Sequence, residues 1–225
     1  MVLRRATGGS LRRPPVQSPP STLARAATSD PSWEAVAWAY RLATDAATLY
    51  LDTETTGLDG GAEVVDLAVV GADGRVLLET LVRPSGAIPS GATTIHGIRD
   101  HHVAGAPPWP DVHEHLRMLI RGRPVVVYNA AFDRRIVEQC CSRHGVEPPE
   151  ARWECAMRNY AAFFGQPGAR GGFRNHKLEH AVARFGGAPG GHRAAADALA
   201  CRAVVLGMAA LAVADGDGEV GPEFD

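Results

Sequence analysis

Two β-rich runs joined by four turn residues constrain this chain more than any other feature. Glu63 to Val70 and Arg75 to Arg83 flank Gly71-Ala72-Asp73-Gly74. An Asp-Gly pair between β-branched segments closes an antiparallel hairpin. A third apolar run, Thr48 to Thr53, precedes them, so three neighbouring strands make a meander. After it the periodicity changes. Asp111 to Arg121 is helical, Pro124 to Tyr128 is a strand centred on Val125-Val126-Val127, and Ala130 to His144 is helical again. A short strand lies around Trp153, and Lys177 to Phe185 is helical. Trp33, Val36, Ala37 and Tyr40 recur at helical spacing and set a helix over 32–46. Ala194, Ala198, Cys201, Val205 and Met208 share one stripe of a last helix from Ala194 to Leu211. A meander followed by alternating helices and strands predicts an α/β domain, a mixed sheet with helices packed on it.

Length and composition bound what that domain can do. The chain has 225 residues, which suits one domain with tails. Apolar residues make up 45% and charged residues 21%, which excludes a wholly disordered or collagen-like chain. No uninterrupted apolar run reaches the roughly 18 residues of a membrane span, so no membrane partner is expected. With 23 Lys+Arg against 25 Asp+Glu, binding to duplex DNA by bulk positive charge is excluded, and any nucleic-acid contact must be local. Cys140, Cys141, Cys155 and Cys201 form no C-x-x-C pair. They read as free thiols in a reducing compartment, the cytoplasm. Residues 1–30 are Arg- and Pro-rich with one acid and read as a disordered basic tail. Their composition also resembles a transit peptide, although the prolines oppose the amphipathic helix that a transit peptide needs. Residues 213–225 read as a disordered acidic tail, which leaves 31–212 as the domain.

Three segments carry the chemistry. Asp52-Thr53-Glu54 ends the first strand, and alternation puts both carboxylates on one face. Like charges a few ångströms apart oppose folding unless something offsets them, and a divalent cation would do so. Read alone, the pair also fits an exposed strand end with solvated acids. Asn129-Ala130-Ala131-Phe132-Asp133 joins the fourth strand to a helix. Asn129 is a candidate cap, with Asp133 in the first turns, where a negative charge is favourable anyway. In Gly190-Gly191-His192-Arg193-Ala194-Ala195-Ala196-Asp197, a loop histidine and a first-turn aspartate face one cleft or are simply solvated. His96, His101, His102, His113 and His115 fit no zinc spacing. His101 and His102 read as the start of a helix.

D-x-E-T-T-G-L, N-A-A-F-D and H-x-x-x-x-D, in this order, resemble the DEDDh family of 3′→5′ exonucleases. That group contains the proofreading subunit of bacterial replicative DNA polymerase, ribonuclease T and oligoribonuclease. Thr94-Ile95-His96-Gly97-Ile98 is similar to the family's I-H-G-I segment, and Lys177-Leu178-Glu179 to the stretch before the third motif. The resemblance covers about residues 46–210. It implies a ribonuclease-H-like fold, a five-stranded mixed sheet flanked by helices. It implies two Mg²⁺ or Mn²⁺ ions held by Asp52, Glu54, Asp133 and Asp197. In the family pattern Asp52 bridges both ions, Glu54 and Asp197 complete one, and Asp133 reaches the other largely through water. His192 is then the general base. Thr55 and Thr56 are expected at the 3′-terminal sugar of a single strand, with Leu58, Ile95, His96 and Phe132 around the last base. Core packing is the alternative for Leu58, Ile95 and Phe132. Arg170, Arg174, Lys177 and Arg193 are candidate phosphate contacts or a solvated basic patch.

The expected activity is release of nucleoside 5′-monophosphates from single-stranded or frayed DNA. The alternatives are 3′ trimming of RNA or short oligonucleotides, and a polymerase-associated end-binding module without turnover. Expected partners are a single-stranded 3′ end and either a DNA polymerase or a second copy of the chain. The sequence departs from the family pattern at Tyr128, where many relatives have histidine, and at Trp153-Glu154-Cys155-Ala156-Met157, which replaces a frequent D-T pair. No Q-x-x-L-x-L/F clamp-binding motif occurs in the tails.

Overall fold

The computed structural model describes residues 30–188 and 190–214. The tails expected over 1–30 and 213–225 therefore lie almost wholly outside the described residues. Val213 and Ala214 are described as the end of the last helix, and Asp30 caps helix α1 (Pro31–Thr44): its side chain accepts the Ser32 N–H at 2.9 Å, and proline follows at the first helical position. Strand β1 is Leu49–Thr55 and ends two residues later than expected, because the carboxylate pair continues the strand rather than ending it. Strands β2 (Val64–Gly71) and β3 (Val76–Leu81) form the expected hairpin. Gly74 has φ 85°, which suits glycine, and returns its N–H to the Gly71 carbonyl at 2.9 Å.

Helices α2 (Ser90–His96), α3 (Asp100–Val103) and α4 (Trp109–Ile120) precede β4 (Pro124–Val127) and α5 (Ala130–His144). Strand β5 (Arg152–Cys155), α6 (Ala156–Phe164), α7 (Leu178–Arg184) and α8 (Ala194–Ala214) complete the order. Helices α2 and α6 are additions to the sequence reading. The sheet order is β3-β2-β1-β4-β5. The β1–β2 and β2–β3 pairs are antiparallel, and β1–β4 and β4–β5 are parallel. This is the five-stranded mixed sheet expected of the ribonuclease-H-like fold.

Alternation along β1 sorts the two cores. Tyr50 faces α1, α6 and α8, where Trp38, Leu42, Tyr160, Cys201, Val205 and Met208 are buried. Leu49 and Leu51 face α4 and α5, where Leu116, Ile120, Ile136 and Cys140 are buried. Helix α8 is long and apolar enough over Ala194–Ala212 to cross a membrane, contrary to the expectation that no segment would be. Asp197 and Arg202 interrupt its apolar residues without making it polar on average. Ala198, Cys201, Val205 and Met208 are buried in the first core, as in the central helix of a folded domain.

Candidate active site

The parallel strands β1 and β4 point their carboxyl ends the same way, and helices α5 and α8 begin beside that edge. Open α/β sheets collect ligands at this place because loops and helix N-termini converge there. Asp52 and Glu54 follow Tyr50 on the β1 face turned toward α8, and Asp197 lies in the first turn of α8. Asp133 comes from the first turn of α5. Its Oδ1 accepts both the backbone N–H of Thr53 at 3.1 Å and the Thr53 hydroxyl at 2.7 Å. The four acids thus meet across three segments of the chain. Asn129 stands at the N-cap of α5 without capping it through its side chain, unlike the sequence expectation.

The electrostatics show how tightly they meet. Desolvation first, then Asp133, Asp197, Glu54 and Asp66, raise the Asp52 carboxyl far above the ordinary carboxylate range. Burial, then Asp197, Asp66 and Asp133, push Glu54 up to about 8. Burial raises Asp133 as well, against the lowering effect of its Thr53 hydrogen bonds. Asp197 is raised by desolvation, and His192 opposes that rise. A buried pocket whose acids all resist ionisation is a poor arrangement for a chain left to itself and a good one for divalent cations, which prefer oxygen ligands. Ligand atoms of Glu54, His192 and Asp197 lie within 4.8 Å of one another, so the donor set fits a cation.

His192 sits in the loop before α8 with φ 57°. Its Nε2 lies 4.0 Å from Glu179 Oε1 on α7. Gly190 approaches α8 so closely that a Cβ there would strike Asp197 Oδ1 and the backbone of Ala196 and Asp197. Gly190 is thus fixed by packing, whereas Gly191 faces open space and has φ 74°.

The candidate substrate residues divide. Leu58 is 76% exposed and Ile95 58% exposed, so neither is core. Phe132 is half-buried against the α4/α5 core, with the Arg135 guanidinium 5.3 Å from its ring centre. His96 is buried and both ring nitrogens are engaged: Nδ1 accepts the Ile98 N–H at 3.0 Å, so Nε2 donates to the Thr55 carbonyl at 3.2 Å. It holds the Thr55 backbone rather than offering a free polar edge, and its burial lowers its basicity. The Thr55 hydroxyl donates to the Gly57 carbonyl at 2.7 Å, and the Thr56 hydroxyl accepts the Glu63 N–H at 2.9 Å. A register shift between Glu54 and Thr55 lets the strand end bend here.

One residue of consequence, Asp66, escaped the sequence reading. Asp66 lies opposite Glu54 in the β1–β2 register, and Arg193, also a candidate phosphate contact, binds it through Nε at 2.8 Å. Tyr128, the departure from the family pattern, has a structural use. Its hydroxyl donates to the His176 carbonyl at 2.8 Å and ties the end of β4 to the segment before α7.

The family described as exonuclease, of the ribonuclease T type, matches residues 49–205. An exonuclease of Escherichia phage 186, CP81, is 40% identical over 168 residues, covering 71% of this chain and 84% of that protein. The epsilon subunit of DNA polymerase III from Escherichia coli K12 is 31% identical over 99 residues. That match spans 38% of this chain and 39% of the subunit. Among solved structures, exonuclease X in complex with 5′ overhanging duplex DNA superposes with a TM-score of 0.55 at 27% identity, covering 73% of this chain and 92% of that one.

Proposed function

The chain belongs to the exonuclease family that spans its residues 49–205, and from that membership we propose a metal-dependent 3′→5′ exonuclease acting on single-stranded or frayed DNA. It is a nuclease, a hydrolase of nucleic acid. In the proposal Asp52, Glu54, Asp133 and Asp197 would hold two Mg²⁺ or Mn²⁺ ions. When bound, such ions supply the positive charge that an anionic phosphodiester lacks. His192 Nε2 takes the proton of the attacking water, and the Glu179 carboxylate lies 4.0 Å from that nitrogen. The water oxygen bonds to phosphorus, the bond to the 3′ oxygen breaks, and that oxygen takes a proton from solvent. A nucleoside 5′-monophosphate leaves. Leu58 and Ile95, both exposed, would offer apolar surface to an unpaired terminal base. Phe132 closes the pocket behind them, and the backbone of Thr55 and Thr56 meets the terminal sugar.

One observation carries this reading: four acids from three segments share one pocket in which each is driven toward its neutral form. DNA is favoured over RNA by the match to exonuclease X, whose structure holds DNA. Association with a DNA polymerase is the companion reading, supported by the partial match to a polymerase subunit. A homodimer is the other. A cytoplasmic setting suits the four free thiols.

The test uses 3′- and 5′-labelled single-stranded DNA and RNA with Mg²⁺ or Mn²⁺. Mononucleotides should leave the 3′ end first, faster from DNA. Asp52→Ala should lower the rate by at least ~10²-fold with the fold intact, and His192→Ala should lower kcat by about 10²–10⁴-fold. Full activity of Asp52→Ala would sink the site assignment.

A further inference from the structure

We propose that Asp66 and Arg193 are positioning residues that hold His192 in place for proton transfer; this rests on the reading of His192 as the proton acceptor. Asp66 lies within β2, a strand buried along its whole length, and is itself 1% exposed. A carboxylate there needs compensation. Its Oδ2 accepts Arg193 Nε at 2.8 Å and the Ala194 N–H at 3.4 Å. Its Oδ1 is buried and has no partner among the described residues. The bonding of this buried acid therefore goes to the two residues that directly follow His192.

The turn is also fixed from the other side. Gly190 packs against Asp197 and Ala196 with no room for a Cβ. Between these two anchors His192 adopts φ 57°, the one left-handed non-glycine residue among the described residues. Such a conformation persists only when its flanks over-determine it. The Asp197 N–H returns to the Arg193 carbonyl at 2.9 Å, so the same two residues that grip Asp66 also start α8. The result is an imidazole delivered beside Glu54 and Asp197. Without the grip, the loop can relax to an ordinary backbone conformation and carry the ring off.

The test compares Asp66→Asn and Arg193→Gln on a 3′-labelled oligonucleotide with metal. Each should lower kcat by about 10–100-fold, the usual effect of losing an outer partner that orients a functional histidine, while KM stays unchanged. The double variant should be no worse than the poorer single one, since the pair acts as a unit. In a His192→Ala background neither change should cost further activity. Should Asp66→Asn fail to fold, Arg193→Gln at its half-exposed position still decides. Full kcat in Arg193→Gln, a rise in KM alone, or a further loss in the His192→Ala background would overturn the proposal. An unchanged rate in His192→Ala alone would instead sink the general-base reading on which it rests.

Discussion

At Gly190 a single hydrogen separates a working pocket from a broken one. A methyl group there would meet Asp197 Oδ1 and the backbone at 196–197, so Gly190→Ala must push the His192 loop away from α8. A displacement of about 1 Å can cost ~10²-fold in rate, and we expect a loss of that order, with weakened Mn²⁺ binding by calorimetry. Wild-type turnover and Mn²⁺ affinity would show that the loop does not need this contact. The residue scale also shows what could be read from the chain alone. Asp52 and Glu54 were legible as a same-face pair because strand alternation is fixed. Asp66 was not, since Val64-Val65-Asp66-Leu67 reads like any half-polar hairpin strand. Only the register that sets it opposite Glu54 reveals its place. His96 was legible as part of a motif, but its use as a backbone brace depends on Thr55 and Ile98 lying around it.

At the scale of elements, α5 does two jobs. Its first turn supplies Asp133, and its next turns fasten the β1–β2 loop. Arg135 donates to the carbonyls of Leu58 and Asp59, Gln139 to those of Asp59 and Ala62, and Arg143 to that of Gly61. Four-residue spacing keeps all three on one helix face. Arg135→Ala should free the loop that carries Leu58. Hydrogen bonds to a charged group contribute ~1.5–3 kcal/mol, less where solvent competes, so KM for an oligonucleotide should rise about tenfold with little change in kcat. A changed kcat at constant KM would refute this division of labour. Helix α8 bears a second constraint, because a Cβ at Gly207 would overlap the Phe185 ring. Gly207→Ala gains about 1 kcal/mol of helix propensity but overpacks at ~1–3 kcal/mol. The Phe185 ring is already wedged against Tyr160 and Phe163, so the overlap should prevail and the melting temperature fall. A higher one would mean that the ring moves freely. Long periodic helices such as α5 were readable in the sequence. Helix α2 was not: Ser90-Gly91-Ala92-Thr93-Thr94 has weak helix propensity, and tertiary packing and the left-handed Gly97 define it. Helix α6 starts directly after β5 with no cap to announce it.

For the whole molecule, the acid pocket makes stability depend on pH and metal together. Glu54 is raised from 4.5 to about 8, and Asp133 is raised in the same direction. Groups raised in the folded state contribute most below their unfolded values and lose that contribution as pH climbs through the folded ones. Metal-free protein should therefore lose stability between about pH 4 and pH 8, by a few kcal/mol or roughly 5–15 °C in melting temperature. Mg²⁺ should restore more of it at pH 8 than at pH 5. A metal-free melting temperature that rises across this interval would contradict the burial of the acids. The sheet order and helix count were nearly within reach of the sequence, because a meander followed by alternation admits few topologies. The pocket was legible only through three motifs in order, since nothing in spacing alone says that positions 52, 133 and 197 meet. Helix α8 is the last described element, yet it fills the centre of one core and brings the final acid and the histidine loop. During synthesis, then, a ribosome-bound chain that has not yet released this helix can neither settle its interior nor cut a strand.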